Sequence, residues 1–151
     1  FGMKIIGYDP LIPGETIAQN GAEPVTLDEL FAMADMITMH IPLTSSTRGM
    51  LNAEAFEKMK KGVYIVCAAR GGVIDEEALL AALESGKVAG AALDVFAAEP
   101  PGPTALVNHP KVIDTPHVGA QTVEAQARAA EDIATEVLAA LDQKPLRWKV
   151  A

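Results

Sequence analysis

The chain has 151 residues and only one cysteine, Cys67. One thiol excludes an intrachain disulfide, so folding must rest on a packed core, and the usage fits a reducing compartment. Basic residues are scarce as well, 12 Lys and Arg against 20 Asp and Glu, for a formal net charge of -8. Such a surface repels a phosphate backbone, which argues against nucleic acid as a partner. No apolar run is long enough to cross a bilayer, and the first residues lack the basic-then-apolar order of a signal segment. A soluble, cytoplasmic protein with no membrane partner is expected. The chain opens on Phe1 rather than Met, and the natural chain is expected to begin earlier. No His, Cys or carboxylate residues stand at metal-ligand spacing and no Gly-x-Ser-x-Gly is present, so neither metal nor acyl-enzyme chemistry is expected.

What is present is half hydrophobic, enough for one core of ordinary domain size. Apolar, β-rich runs at 3–8, 35–40, 63–68, 88–95 and 111–115 read as strands. Helix-patterned stretches lie near 14–20, 26–34, 53–60 and 75–85, with a long one at 122–142. The strand runs are too apolar for half-solvated strands, and their alternation with helices predicts a parallel sheet covered on both faces. Asp75 is placed to cap a helix that has Glu76 and Glu77 in its first turn, and Gly86 to end it in a left-handed conformation. In the last helix Val123, Ala127, Ala130, Ala134, Val137 and Leu141 alternate steps of four and three, which predicts an apolar stripe used for packing. The tail from Lys144 to Ala151, with Pro145 and Trp148, would be an odd exposed end and is expected to lie against a further domain.

In doubly wound sheets ligands bind beyond the carboxyl ends of the strands, so the residues after each strand carry the most information. Asp9, in Gly7-Tyr8-Asp9-Pro10, either accepts hydrogen bonds from a ribose, favouring NAD over NADP, or simply opens a turn before Pro10. Arg70, followed by Gly71 and Gly72, suits a planar carboxylate because its guanidinium donates two parallel hydrogen bonds and stays charged. It could equally be a surface arginine. Asp94 and Glu99 follow the fourth strand run and His117 the fifth. A carboxylate beside an imidazole stabilises the charged ring, which suits acid-base work near neutral pH. His40 and His109 stand alone; the first could simply finish a buried strand and the second sits in a turn.

Four segments, GYDP, AARGGVIDEEALLAAL, GAALDVFAAEPP and PHVGAQTVEAQ, in this order and spacing, together resemble the D-2-hydroxyacid dehydrogenase family over nearly the whole chain. The similarity is strongest to its branch that oxidises D-3-phosphoglycerate to 3-phosphohydroxypyruvate on the way to serine. The resemblance implies that Arg70 holds the substrate carboxylate, that His117 moves the proton and that Glu99 is its carboxylate partner. It also implies an NAD site contacted by Asp9, Ile41, Pro42, Ala68, Ala69, Arg70, Asp94, His117, Gly119 and Ala120. The implied partner is a small 2-hydroxy or 2-oxo acid, and the implied parent is a homo-oligomer, dimer or tetramer. Reduction of hydroxypyruvate or glyoxylate, or a corepressor-like protein that senses NAD without turnover, are the competing expectations. Two positions depart from the family pattern. Ile41 stands where a small polar residue is common and Cys67 where Asn is common, though a backbone contact survives both changes.

No G-x-G-x-x-G precedes the Asp9 strand. The expected fold class is therefore α/β, a partial Rossmann-like doubly wound parallel sheet without its first strand and glycine-rich turn. Residues 1–120 would form a partial dinucleotide-binding domain, and residues 121–151 a return helix and tail leading toward a substrate domain. The absent strand would sit between the Asp9 strand and the Arg70 strand, and the chain alone is expected to be poorly stable and to bind NAD weakly.

Overall fold

The computed structural model describes residues 2–148; the last three residues of the expected tail lie outside them. It divides into two compact units, one ending at Pro116 and the other starting at His117.

The first unit holds two parallel sheets. Strands β3 (Met36–Met39), β4 (Val63–Cys67), β5 (Val88–Leu93) and β6 (Val112–Asp114) pair in that order. Strands β1 (Ile6–Gly7) and β2 (Glu23–Pro24) form a separate pair. The sequence did not mark β2, which is two residues long and ends in proline. The first strand run was expected over 3–8 and is confined to Ile6–Gly7, because its only ladder partner is equally short; Met3 and Ile5 stand exposed. Strand β3 is an edge of the larger sheet whereas β4 is internal, so the expected gap would adjoin the His40 strand rather than the Arg70 strand.

Helices α1 (Gly14–Gln19), α2 (Leu27–Met33), α3 (Ala53–Lys58) and α4 (Glu76–Glu84) connect the strands. Each of the last three starts on a side-chain cap. The Thr26 hydroxyl accepts from the Glu29 N–H, Asn52 from Ala55, and Asp75 from Glu77 and Ala78. These bonds satisfy donors that have no partner inside the helix. Gly86 ends α4 with φ 73°, as its position after the helix predicts. Lysines just ahead of β5 and β6 also reach the carboxyl ends of α3 and α4: Lys87 Nζ donates to the Glu57 carbonyl and Lys111 Nζ to the Leu83 carbonyl.

The core lies between the helices and one face of the larger sheet, with Leu51, Val63, Ile65, Val73, Leu79, Leu83 and Val88 fully buried. Each such side chain contributes about 1.5–3 kcal/mol relative to exposure. The other face differs from expectation. Burial alternates along β3 and β4, leaving Met36 53% and Tyr64 50% exposed. An apolar run says that a strand can be buried on both faces; whether a second layer covers it depends on what packs there.

In the second unit α5 runs over Val123–Leu141, with the Thr122 hydroxyl accepting from the Ala125 N–H. Its stripe is a correction too. No residue of α5 is buried, and Val123 and Leu141 are 84% and 75% exposed. Periodicity shows that a helix has an apolar face, not that a partner surface meets it. At its far end Glu136 accepts from the backbone N–H groups of Arg147 and Trp148, and the Arg147 guanidinium lies 5.1 Å from the Trp148 ring centroid.

Candidate functional site

Strand register sets the site. Met39 pairs with Cys67, Cys67 with Leu93 and Leu93 with Asp114, so β3 to β6 end in one row. The loops opening on His40, Ala68 and Asp94 therefore leave the same sheet edge. Two of them border a cleft of about 470 Å³ lined by His40, Ile41, Pro42, Leu43, Ala68, Ala69 and Arg70. Five of the ten residues expected at the cofactor are thus brought together: Ile41, Pro42, Ala68, Ala69 and Arg70.

Arg70 is exposed, and its Nη1 donates to the Ala69 carbonyl at 2.7 Å. Directly after it, Gly71 fits where no other residue can, because a Cβ there would lie 1.8 Å from the Phe96 carbonyl oxygen and 2.3 Å from its carbon. The Arg70 loop and the Glu99 loop thus touch backbone to backbone. Glu99 turns back on its own loop, with Oε1 accepting from the Phe96 N–H at 3.2 Å, and the Glu99–Pro100 peptide is cis. From beneath, Glu76 Oε1 accepts from the Ala97 N–H at 2.6 Å.

Asp94 is the buried carboxylate of this edge, 8% exposed. Its N–H donates to the Cys67 carbonyl and its Oδ1 accepts from the Thr115 hydroxyl, which ties the ends of β4, β5 and β6 together. Burial pushes the Cys67 thiol up from its ordinary range, against hydrogen bonds from the backbone of Ala69 and Arg70 that favour the thiolate. A buried thiol held neutral is core packing rather than a nucleophile.

Asp9 stands apart, in the β1–β2 region. Its Oδ1 accepts from the Leu11 N–H at 2.8 Å, so it does open the turn at Pro10. It also borders a shallow cleft of about 650 Å³ with Tyr8, Ile12, Pro24, Thr26 and Glu29. His117 opens the second unit with φ 55°, a left-handed conformation that non-glycine residues adopt infrequently and that histidine tolerates better than most. Gly119 and Ala120 follow it, and the Val118 carbonyl accepts from the Gln121 N–H before α5 begins.

The sequence reading undervalued the loop after β3. His40 does not finish a buried strand; it is exposed at the cleft, with Nε2 2.8 Å from the Thr38 hydroxyl. Thr47 donates to the Pro42 carbonyl at 2.6 Å and accepts from the Thr44 N–H, fixing the cleft wall. The hydroxyl-rich Leu43-Thr44-Ser45-Ser46-Thr47 run was the available signal, since such residues bond local backbone groups. His109 is structural, its Nδ1 accepting from the Lys111 N–H within a turn.

A parallel α/β sheet with its carboxyl edge opening on a cleft of mixed apolar and polar lining, an arginine among it, defines the class of a dinucleotide-binding domain. The family model for "D-isomer specific 2-hydroxyacid dehydrogenase, NAD binding domain" matches residues 1–119. Over 146 residues the chain is 52% identical to D-3-phosphoglycerate dehydrogenase of Homo sapiens, covering 97% of this chain and 27% of that relative. A D-lactate dehydrogenase from Treponema pallidum superposes with a TM-score of 0.91 at 33% identity, over 99% of this chain and 49% of that one. The structure of D-lactate dehydrogenase from Aquifex aeolicus complexed with NAD and lactic acid gives 0.85 at 34% identity, over 94% and 47%. The chain belongs to the D-isomer specific 2-hydroxyacid dehydrogenases and spans about a quarter of the length of the curated relatives it matches. Among the described residues no helix is long and apolar enough to cross a membrane.

Proposed function

We propose that the protein containing this chain oxidises D-3-phosphoglycerate to 3-phosphohydroxypyruvate with NAD, as a step toward serine. The observation that carries the substrate is the 52% identity to a D-3-phosphoglycerate dehydrogenase over nearly the whole chain. The chemistry rests on Arg70 and Glu99 leaving neighbouring strand ends on loops in backbone contact.

The residues present fit a nicotinamide cofactor at this edge, because the cleft of about 470 Å³ combines the apolar side chains of Ile41, Pro42, Leu43, Ala68 and Ala69 with the polar groups of His40 and Arg70, the usual make-up of a cofactor site. Ile41, Pro42, Ala68, Ala69 and Asp94 would hold it there, with Gly119 and Ala120 beside it and Asp9 toward the adenosine ribose. When bound, NAD supplies the acceptor for the hydrogen and electron pair released from C2 of the substrate. Arg70 binds the substrate carboxylate through two parallel hydrogen bonds and draws charge toward the C2 oxygen. In oxidation the neutral imidazole of His117 accepts the C2 hydroxyl proton as the C2–H bond breaks and the C=O bond forms; in reduction the imidazolium returns it. Glu99 stabilises the imidazolium and holds the ring's orientation. The parent is proposed to be a cytoplasmic homo-oligomer.

The test is NADH oxidation by the full-length protein with 3-phosphohydroxypyruvate, hydroxypyruvate and 2-oxoglutarate, alongside His117→Ala. Turnover on the phosphorylated acid, reduced in the variant by a factor on the order of 10²–10⁴ as for loss of a general acid, is expected. Turnover on the smaller acids alone would move the substrate within the family. Binding of NADH with no turnover on any acid would overturn the enzymatic reading in favour of a sensor.

A further inference from the structure

Glu76 stands in the first turn of α4, where its charge suits the helix dipole, but it is not the residue that caps the helix. Asp75 already caps α4 by accepting from the N–H groups of Glu77 and Ala78. The Glu76 carboxylate instead reaches a backbone group 21 residues on, the Ala97 N–H, at 2.6 Å. That N–H shares one peptide unit with the Phe96 carbonyl, the group against which Gly71 is packed. Phe96 in turn gives its own N–H to Glu99. Because a peptide unit is planar and rigid, holding its N–H also fixes the direction of its C=O. The backbone of Gly71, packed against that C=O, is positioned with it.

We infer that Glu76 is a positioning residue, an anchor that sets the Arg70 loop and the Glu99 loop relative to each other. This rests on the roles proposed above for Arg70 and Glu99. Glu76 and Arg70 also line one narrow crevice with Gly71, Leu79 and Val95. A shift of the Phe96–Ala97 peptide reaches the arginine through Gly71, which packs on the Phe96 carbonyl and directly follows Arg70. Glu76 touches neither substrate nor cofactor in this scheme, and its effect falls on the alignment of the reacting groups more than on NAD affinity.

The experiment uses the full-length protein with Glu76→Ala, Glu76→Gln and, as a control for acidic charge in the first turn of α4, Glu77→Ala. Readouts are kcat, KM for NAD, melting temperature and hydrogen exchange at the Ala97 amide. Glu76→Ala is expected to lower kcat about 10- to 100-fold, the scale of a misplacement near 1 Å, with KM for NAD within about twofold. Its Ala97 amide should exchange on the order of tenfold faster. Glu76→Gln keeps a carbonyl acceptor and should retain both slow exchange and most of kcat, and Glu77→Ala should match wild type. Unchanged Ala97 exchange in Glu76→Ala, or equal loss of kcat in the Ala and Gln variants, would overturn the inference. An inactive wild type would count against the proposed function instead, and exchange at Ala97 would still decide whether the anchor exists.

Discussion

At Gly71 a single hydrogen in place of a methyl group lets two loops meet. The adjacent Gly72, at φ 85°, is needed for its backbone angle; Gly71 is needed for the space a Cβ would fill 1.8 Å from the Phe96 oxygen. Gly71→Ala must therefore push backbone against backbone, where no rotamer change relieves the overlap, at a cost of about 1–3 kcal/mol or more. A melting temperature several degrees below wild type, with kcat reduced more than NAD affinity, is the expected result in the full-length protein. Unaltered melting and turnover would show that the contact is slack. The paired glycines of Arg70-Gly71-Gly72 were visible in the sequence as a tight turn beside a guanidinium. The identity of the group they touch was not, because Phe96 is 25 positions away and only folding brings it there.

At the scale of elements, the cap at Asp75 was legible because caps act over three residues, and the structure adds Thr26, Asn52 and Thr122 as caps of the same kind. The α2 start carries a pH dependence. Hydrogen bonds from the Thr26 backbone N–H and hydroxyl hold the Glu29 carboxyl below its ordinary value of 4.5. A depressed folded-state value means that the interaction stabilises fully above that ordinary value and is lost as pH falls through the depressed one. Wild type and Glu29→Ala are therefore expected to differ in melting temperature at pH 7, with the gap narrowing as the pH falls below 4.5. A gap that widened in acid would refute the assignment. Strand ends were less legible than helix starts. The short span of β1 and the existence of β2 depend on a partner remote in sequence, and no residue type announces a two-residue ladder ending at Pro24.

For the whole molecule, the division of the strands into a four-stranded sheet and a separate pair sets a gradient of stability. Strand β4 is laddered on both sides, by β3 and β5, whereas β1 and β2 have only each other. Backbone amides with few neighbours open without global unfolding. Hydrogen exchange on the 151-residue chain should thus protect the Val63–Cys67 amides by at least about a hundredfold more than the Glu23 and Val25 amides, which donate to the Ile5 and Gly7 carbonyls. Equal protection would mean that the two sheets open as one cooperative body.

By itself the sequence determined the local and periodic features: the Asp75 cap, the strand and helix alternation, and the ordered segments around Arg70, Glu99 and His117 that mark the family. Each depends on neighbours within a few residues or on a repeat that needs no partner. Tertiary structure alone decided which apolar faces are covered, leaving α5 and the Met36 and Tyr64 face exposed, and which loops touch, as Gly71 and Glu76 do at the Phe96–Ala97 peptide. Burial and contact are properties of pairs of surfaces, and a pattern along one chain specifies only one member of each pair.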